Sequence, residues 1–570
     1  MPSTLTLLSV FLLGTLSTTY FNPFNYLSQD LQDLQPSLQN ITIHDFHAGT
    51  GDHRKIKINL RPASPYSIPH ENFTQWCHAQ ASIALDKILQ NIANDNINDL
   101  SQRYNVSQGA VIASPSRSKP NYFYQWTRDA ALVMNPLILN LFSSDEKVNG
   151  TIASTLLKYL NNSYALQQLD NPSGNGTKYQ DLKGLGEPKW EVNSTPFMEH
   201  WGRPQNDGPA LRALTSFHLL KQLRQHNMTF EDLLNQIEDG QLPFQNEQEL
   251  FDKFIYYDLK FVMLYWKQDG FDLWEEVNGI HFFTALVQLK ALDEALYFLS
   301  LHTETTVEQP SLVQSLQRTF DDLLQFMLTQ GNFIDPNKNH IVETPNFHER
   351  SGLDIAVILA SLYSHNTDNN STLPFDVTDS GVLNTLYGLM RSMGMIYPIN
   401  HQRANLKIGV ALGRYPEDIY DGIGLSEGNP WFLATSSAAE LLYKLIWNLQ
   451  SNRKDLIIPL NDFNSQFWTI VFDGIAHEEL QLHQSHPHDD IQLILPYDSP
   501  AFKQTLKLIF DLGESFLDKL REHVSKTGDM SEQFNKYTGF LQGATHLTWS
   551  YSSFWNCYHL RNKLIELMKY

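Results

Sequence analysis

The stretch "FDLWEEVNG", Phe271 to Gly279, crowds Asp272, Glu275 and Glu276 around one indole, Trp274. A carboxyl beside an apolar wall or a second carboxyl keeps its proton to higher pH. One member of the Glu275/Glu276 pair is therefore suited to protonate a leaving oxygen. Cleaving a glycosidic bond needs such an acid and a second carboxylate, acting as base or nucleophile. Glu532, in "MSEQFNKYTG" (Met530 to Gly539), can be that partner if the fold brings its loop to the same place. Aromatic faces stack on sugar rings, and Arg–Asp pairs grip vicinal hydroxyls. "NYFYQWTRD" (Asn121 to Asp129) supplies Tyr122, Trp126, Arg128 and Asp129, and "HWGRPQNDGPALRA" (His200 to Ala213) supplies Trp201.

Each feature alone has a plainer reading. Paired glutamates at a helix entrance favour its dipole. Arg128–Asp129 could be a capping ion pair, and Glu532 a solvated acid. Trp126, Trp201, Trp431 and Trp549 could fill a core, although Trp126 and Trp201 sit among polar loop residues. The company these residues keep is what favours chemistry.

Helical periodicity sets where they stand. From about Phe73 the pattern predicts helices over 73–94, 128–142, 150–169, 208–227, 246–267, 279–301, 311–330, 351–364, 380–395, 429–448, 500–524 and 548–568. The odd-numbered helices are amphipathic and charged on one face, as in "FKQTLKLIFDLGESFLDKLREHV" (Phe502 to Val524). The even-numbered ones, such as "GLDIAVILASL" (Gly352 to Leu362), hold few charges and read as buried on all sides. Pro136 should kink the second helix. Asp207-Gly208-Pro209 and Asn429-Pro430 should start the fourth and tenth. Strand patterns are scarce. Six outer helices alternating with six inner ones predict an all-α (α/α)6 barrel; a solenoid of helical hairpins is the alternative, but the chain has no repeated motif of that kind. Every loop entering an even helix then lies at one end, and the acid- and aromatic-rich motifs fall in those loops.

Bulk properties agree with a small neutral ligand. The 570 residues carry a formal net charge of −21, and no Lys/Arg block stands out, so nucleic acid and anionic membrane are excluded as natural partners. Residues Leu5 to Leu16 resemble the apolar core of a signal peptide, giving 1–20 as a leader, 21–72 as an extended arm and 73–570 as the catalytic domain. Asn-x-Ser/Thr sites at Asn40, Asn72, Asn105, Asn149, Asn161, Asn175, Asn193, Asn227, Asn369 and Asn370 point to the secretory route, extracellular or vacuolar. Cys77 and Cys557 are either one bridge or two free thiols. The segment from His477 to Asp490 is His-rich but lacks metal-ligand spacing, and reads as a solvated loop. No phosphate loop, dinucleotide fingerprint or serine elbow is present.

At these motifs the chain resembles fungal and yeast glucoamylases of glycoside hydrolase family 15, in the short form without a starch-binding module. The matching strings are "VIASPSRSKPNYFYQWTRD", "GLGEPKW", "WGRPQNDGPALRA", "FDLWEEVNG", "GRYPEDIYDG", "GNPWFLAT" and "LTWSY", in order and spread over nearly the whole chain. "KWEVN" (Lys189 to Asn193) departs from the family's usual run, and "DGIGLSEGNPW" (Asp421 to Trp431) is longer than in mould enzymes. The resemblance implies removal of glucose from non-reducing ends of α-1,4-glucans with inversion and slower α-1,6 cleavage; the mechanism needs no metal or organic cofactor, and a monomer is expected. It implies Glu275 as general acid and Glu532 as general base. It places Tyr122 and Gln533 around the attacking water. Trp126, Arg128, Asp129, Trp201, Asp272, Trp274, Glu276, Arg414 and Asp418 contact or line the substrate. Rival readings are a relative acting on trehalose or dextran, an inactive glycan-binding protein, and a structural helical ring.

Overall fold

Apolar helices with no polar face can only be satisfied by neighbours on every side, and here they close on one another. The computed structural model describes residues 71–568 except 143–145, 238–241, 302–308, 366–372, 404–408, 460, 462 and 473–491. It also describes two strands, β1 (Ile41–His44) and β2 (Lys55–Ile58), which pair antiparallel within the segment read as an extended arm. The leader-like run and the His-rich stretch lie outside the described residues.

The ring helices follow in chain order. They are α1 (Glu71–Gln90), α2 in two pieces (Thr127–Leu132 and Asn135–Leu139), α3 (Gly150–Gln167) and α4 (Gly208–Gln225). Next, α5 runs from Glu247–Leu250 through a π turn, Phe251–Ile255, into Tyr256–Tyr265. Then come α6 (Phe282–Leu301), α7 (Gln309–Gln325, ending in a π turn Phe326–Gln330) and α8 (Ile355–Ser364). The last four are α9 (Ser380–Ile396), α10 (Phe432–Ser451), α11 (Pro500–Arg521) and α12 (Thr548–Met568). Each expected helix is present. Pro136 breaks α2 in two, because it sits in the first turn of the second piece, where its missing N–H costs nothing.

The even-numbered helices pack in sequence, α2 on α4, α4 on α6, α6 on α8, α8 on α10, α10 on α12 and α12 back on α2. Each odd-numbered helix lies outside: α1 on α12, α3 on α2, α5 on α4, α7 on α6, α9 on α8 and α11 on α10. Burial follows the same division. Along α8 Ile355 to Leu362 are all buried, whereas α7 buries one stripe, Leu316, Leu323 and, in the turn that ends it, Met327. Every fully buried Leu or Ile contributes about 1.5–3 kcal/mol relative to exposure. Cys77 on α1 and Cys557 on α12 are free, buried thiols, and burial pushes both upward in pKa.

Local start signals differ between the two ends. Asn149, Asp379 and Ser499 cap the outer helices α3, α9 and α11 through their side chains, and Asp354 caps the inner helix α8 at the mouth. By contrast, α2 and α10 begin after Trp126 and Trp431, which cap nothing. Asn429-Pro430 does not open α10, which starts at Phe432; the Asn429 amide instead donates to Gln533 Oε1 at 3.0 Å.

Short antiparallel ladders absent from the sequence reading brace the loops at this end. They are β3 (Gln125–Trp126) with β4 (Lys189–Trp190), β5 (Gly270–Phe271) with β6 (Asn278–Gly279), and β9 (Ser531–Phe534) with β10 (Leu541–Thr545). A further pair, β7 (Leu456–Pro459) and β8 (Gln492–Leu495), lies between α10 and α11 in the chain.

Candidate active site

The β5–β6 hairpin presents the first two carboxyls. Its tight turn is held by Asp272, which is 2% exposed and accepts from the amides of Glu276 at 2.7 Å and Val277 at 2.9 Å. Within that turn Glu275 has φ of 67°, a left-handed conformation that a side-chain-bearing residue adopts only under constraint. Its Oε1 accepts from Trp126 Nε1 at 2.6 Å and Gln205 Nε2 at 2.9 Å, with an Arg128 nitrogen at 4.0 Å. The carboxyl is thus fixed against an indole.

Glu276, next in the chain, faces other partners. It accepts from Arg350 at 2.7 Å, from Arg414 at 2.8 Å and from the Tyr415 hydroxyl. Burial pushes this carboxyl up, but Arg414, Tyr415 and Arg350 outweigh it and hold Glu276 below the usual carboxylate range. The environments of the two neighbours therefore differ: Glu276 is a fixed anion, and Glu275 stands at an aromatic wall.

Glu532 comes from β9 and is fully buried. Its Oε2 accepts from the Ala544 amide at 3.3 Å and the Tyr420 hydroxyl at 3.4 Å, and Tyr420 meets the Tyr122 hydroxyl at 2.9 Å. Its Oε1 has no partner in the protein. Burial pushes Glu532 up to about 8, while the Ala544 amide, Tyr122, Arg414 and Tyr420 pull the other way. A base must be ionised to take a proton from water, and those four groups favour that form against burial. Two glycines make room for it. At Gly543, φ is +74°, and at Gly422, φ is +89°; a Cβ on Gly422 would stand 2.7 Å from Gly543 Cα.

Tyr122 links the two acids. Its ring lies 5.6 Å from that of Trp126, the residue that holds Glu275, and its hydroxyl reaches Glu532 through Tyr420. Burial raises the Tyr122 phenol, and both Glu532 and Glu275 raise it further, so one phenol senses both carboxylates.

Around them stand the other expected residues. Arg128 donates to Gln205 at 2.8 Å and Asp207 at 3.0 Å, and its Nε lies 3.4 Å from Asp129. Burial lifts Asp129 to about 6 against the pull of Arg128. Arg414 is clamped by Asp418 at 2.8 and 2.6 Å and lies 5.3 Å from the ring centroids of Trp274, Tyr420 and Trp431. Trp274 donates to Asp354, the α8 cap, at 3.0 Å. Trp201 packs on Trp126 at 6.1 Å, and its Nε1 is buried without a partner. Gln533 is placed differently. Successive side chains of a strand point to opposite faces. Its amide accepts from Asn429 and donates to the Tyr420 carbonyl at 3.4 Å, fastening the 418–429 loop to β9.

The sequence reading did not single out Gln205, Tyr415 and Tyr420, although each lies within a quoted motif, and took Asp207 only as a helix opener. Arg350 and Asp354 lie in the loop entering α8, which the rule that even helices are entered from the mouth selects as well. Trp431 and Trp549 pack at 5.7 and 6.3 Å on Trp274, so the supposed core fillers form the back wall. Among the described residues no cluster of His, Cys, Asp and Glu could hold a metal ion, and no helix is long and apolar enough to cross a membrane.

Comparison with known proteins gives the same picture. A model described as glycosyl hydrolases family 15 matches residues 83–559. An intracellular, sporulation-specific glucoamylase of Saccharomyces cerevisiae is 41% identical over 557 residues, covering 93% of this chain and 95% of the relative. A glucoamylase of Saccharomycopsis fibuligera is 36% identical over 508 residues, covering 88% of this chain and 93% of its own length. Among solved structures, a Saccharomycopsis fibuligera glucoamylase superposes with a TM-score of 0.76 at 34% identity, covering 92% of this chain and 99% of that one. A family 15 glucoamylase of Hypocrea jecorina gives 0.69 at 29% identity, covering 86% and 73%. A closed double ring of helices is thus shared along almost the whole length, and the chain belongs to glycosyl hydrolases family 15.

Proposed function

We propose that this protein is an inverting exo-acting glucoamylase, a glucan 1,4-α-glucosidase that frees β-D-glucose from the non-reducing ends of α-1,4-glucans and cleaves α-1,6 links more slowly. The observation that carries this reading is the pair of unlike carboxyl sites connected through Tyr122. Glu275 is fixed by Trp126 Nε1, and Glu532 is buried with one oxygen unpartnered. Buried polar atoms without hydrogen-bond partners at the site include Glu532 Oε1, Trp201 Nε1 and Trp431 Nε1. A hydroxyl-rich ligand satisfies such groups.

In the reaction, Glu275 gives its proton to the glycosidic oxygen as the bond from that oxygen to the anomeric carbon breaks. Water attacks the same carbon from the opposite face and loses a proton to Glu532. The two carboxyls stand ~6.5–9.5 Å apart in such enzymes to admit that water. Arg128, Asp129, Arg414, Asp418 and Glu276 hold sugar hydroxyls. Trp126, Trp201 and Trp274 wall the site, with Tyr122 beside the water. Glu532→Gln should lower kcat by roughly 10²–10⁴-fold with little change in KM. Proton NMR of fresh product from maltose decides the stereochemistry: β-glucose is expected, and α-glucose rejects the scheme.

The chain acts as a monomer on its glucan and reaches its place through the secretory pathway. Exposed sequons at Asn105, Asn149, Asn161, Asn193 and Asn227 support that route. A mobility shift on endoglycosidase treatment of the native protein tests it.

A further inference from the structure

The site contains a cation that the scheme above leaves unused. Lys189 on β4 stands directly opposite Trp126 on β3, so both side chains share one face of the ladder. Its ammonium lies 3.4 Å from the ring centroid of Trp201, 4.1 Å from Tyr124, 4.2 Å from Phe197 and 4.9 Å from Trp126. The residue is 3% exposed. Among the described residues no carboxylate pairs with it at salt-bridge distance. An ammonium enclosed by four ring faces is attracted to each of them and orients them in return. Two of those rings matter to the reaction. Trp126 donates to Glu275, and Trp201 packs on Trp126 with its own N–H unpartnered.

The surrounding charges can be set out. Lys189 faces Glu275 from the β5–β6 turn, then Glu191 and Glu199, with Arg203 opposing. Glu275 faces Lys189, Arg128 and Asp129, the phenol of Tyr122 and, beside it in the chain, Glu276. Burial pulls the Lys189 ammonium down to about 8, so at acid and neutral pH it remains charged.

We propose that Lys189 is a positioning residue for the general acid: its ammonium fixes Trp126 and Trp201 as the wall behind Glu275 and, through its charge, sets the upper pH limit of catalysis. This rests on Glu275 being the acid. A positive charge nearby favours the ionised carboxylate, so removing it lets the acid keep its proton to higher pH.

The test compares Lys189→Met, which keeps an apolar stem of similar length, with Lys189→Arg, which keeps the charge. kcat/KM on maltose is measured across pH, with circular dichroism as the check on folding. Lys189→Met should move the basic limb upward by roughly half a pH unit or more and lower kcat about tenfold. Lys189→Arg should leave the limb at the wild-type position. An unmoved limb in Lys189→Met overturns the proposal whatever happens to the rate, since loss of packing alone lowers the plateau without shifting the profile. Equal shifts in both variants overturn it too. If Lys189→Met does not fold, Lys189→Gln is read in the same way. Failure of the wild-type protein to release β-glucose would instead strike the functional reading, so the two failures are distinct.

Discussion

A methyl group on Gly543 would stand 2.2 Å from Oε2 of Glu532. Gly543 also has φ of +74°, where a side chain adds strain of about 1 kcal/mol. Gly543→Ala should therefore lower kcat at least tenfold by displacing the carboxylate, while Tm falls only ~2–4 °C. Steady-state kinetics beside thermal melts check this, and an unchanged kcat counts against Glu532 as the base.

Tyr420 donates to Glu532 at 3.4 Å. A donor to a carboxylate favours its ionised form, which the base must hold. Tyr420→Phe should push the acid limb of kcat/KM toward higher pH by roughly half a unit, leaving the basic limb in place. A profile that only drops in height would mean Tyr420 packs without tuning the base.

Arg350 is one of two arginines on Glu276, and it lies 3.8 Å from the Tyr415 ring centroid. Arg350→Ala should raise KM for maltose about tenfold, the loss of one charge-assisted hydrogen bond's worth of ordering. Arg350→Lys should recover part of it. Full wild-type KM in the alanine variant would leave Arg414 as the sufficient partner.

Stability should fall as pH rises from acid to mildly alkaline. Burial raises Asp129 to about 6, Glu440 and Asp511 to about 7, and Asp354 and Glu532 to about 8. Between the unfolded carboxylate range and these values the folded chain binds more protons than the unfolded one, so their stabilisation is present at low pH and is lost as pH climbs. Glu276, held low by its arginines, works in the opposite sense and weakens the fold only as pH drops through its lowered value. The thermal optimum should sit near about pH 5. Asp511 provides the control, because neither of its oxygens has a partner. Asp511→Asn should raise Tm by ~1–3 °C at pH 8 and leave it unchanged at pH 4. Calorimetry at the two pH values is the measurement.

The ring was legible because helix periodicity is a long-range signal: apolar runs such as Ile355 to Leu362 can only be surrounded, and stripes such as Leu316, Leu323 and Met327 can only face one way. The β3–β4 ladder was not legible, since two-residue strands carry no alternation. The start of α10 was misplaced because Asn429-Pro430 carries ordinary helix-opening chemistry, yet Asn429 is spent on Gln533. Helix starts at Trp126 and Trp431 give up a cap to place an indole in the site, so local rules fail there for a functional reason. Arg350 went unread because its loop looks like any polar connection, and only the alternation of inner and outer helices assigns it to the mouth.

The ring closes where α12 packs against α1 and α2. A nascent chain therefore carries Glu275, Glu276 with its arginines and most of the inner helices for tens of seconds, at ~5–20 residues per second, before the last staves leave the ribosome. Until then Glu532 has no wall behind it and the cask stays open. Synthesis itself delays the onset of hydrolysis until the final helix is in place.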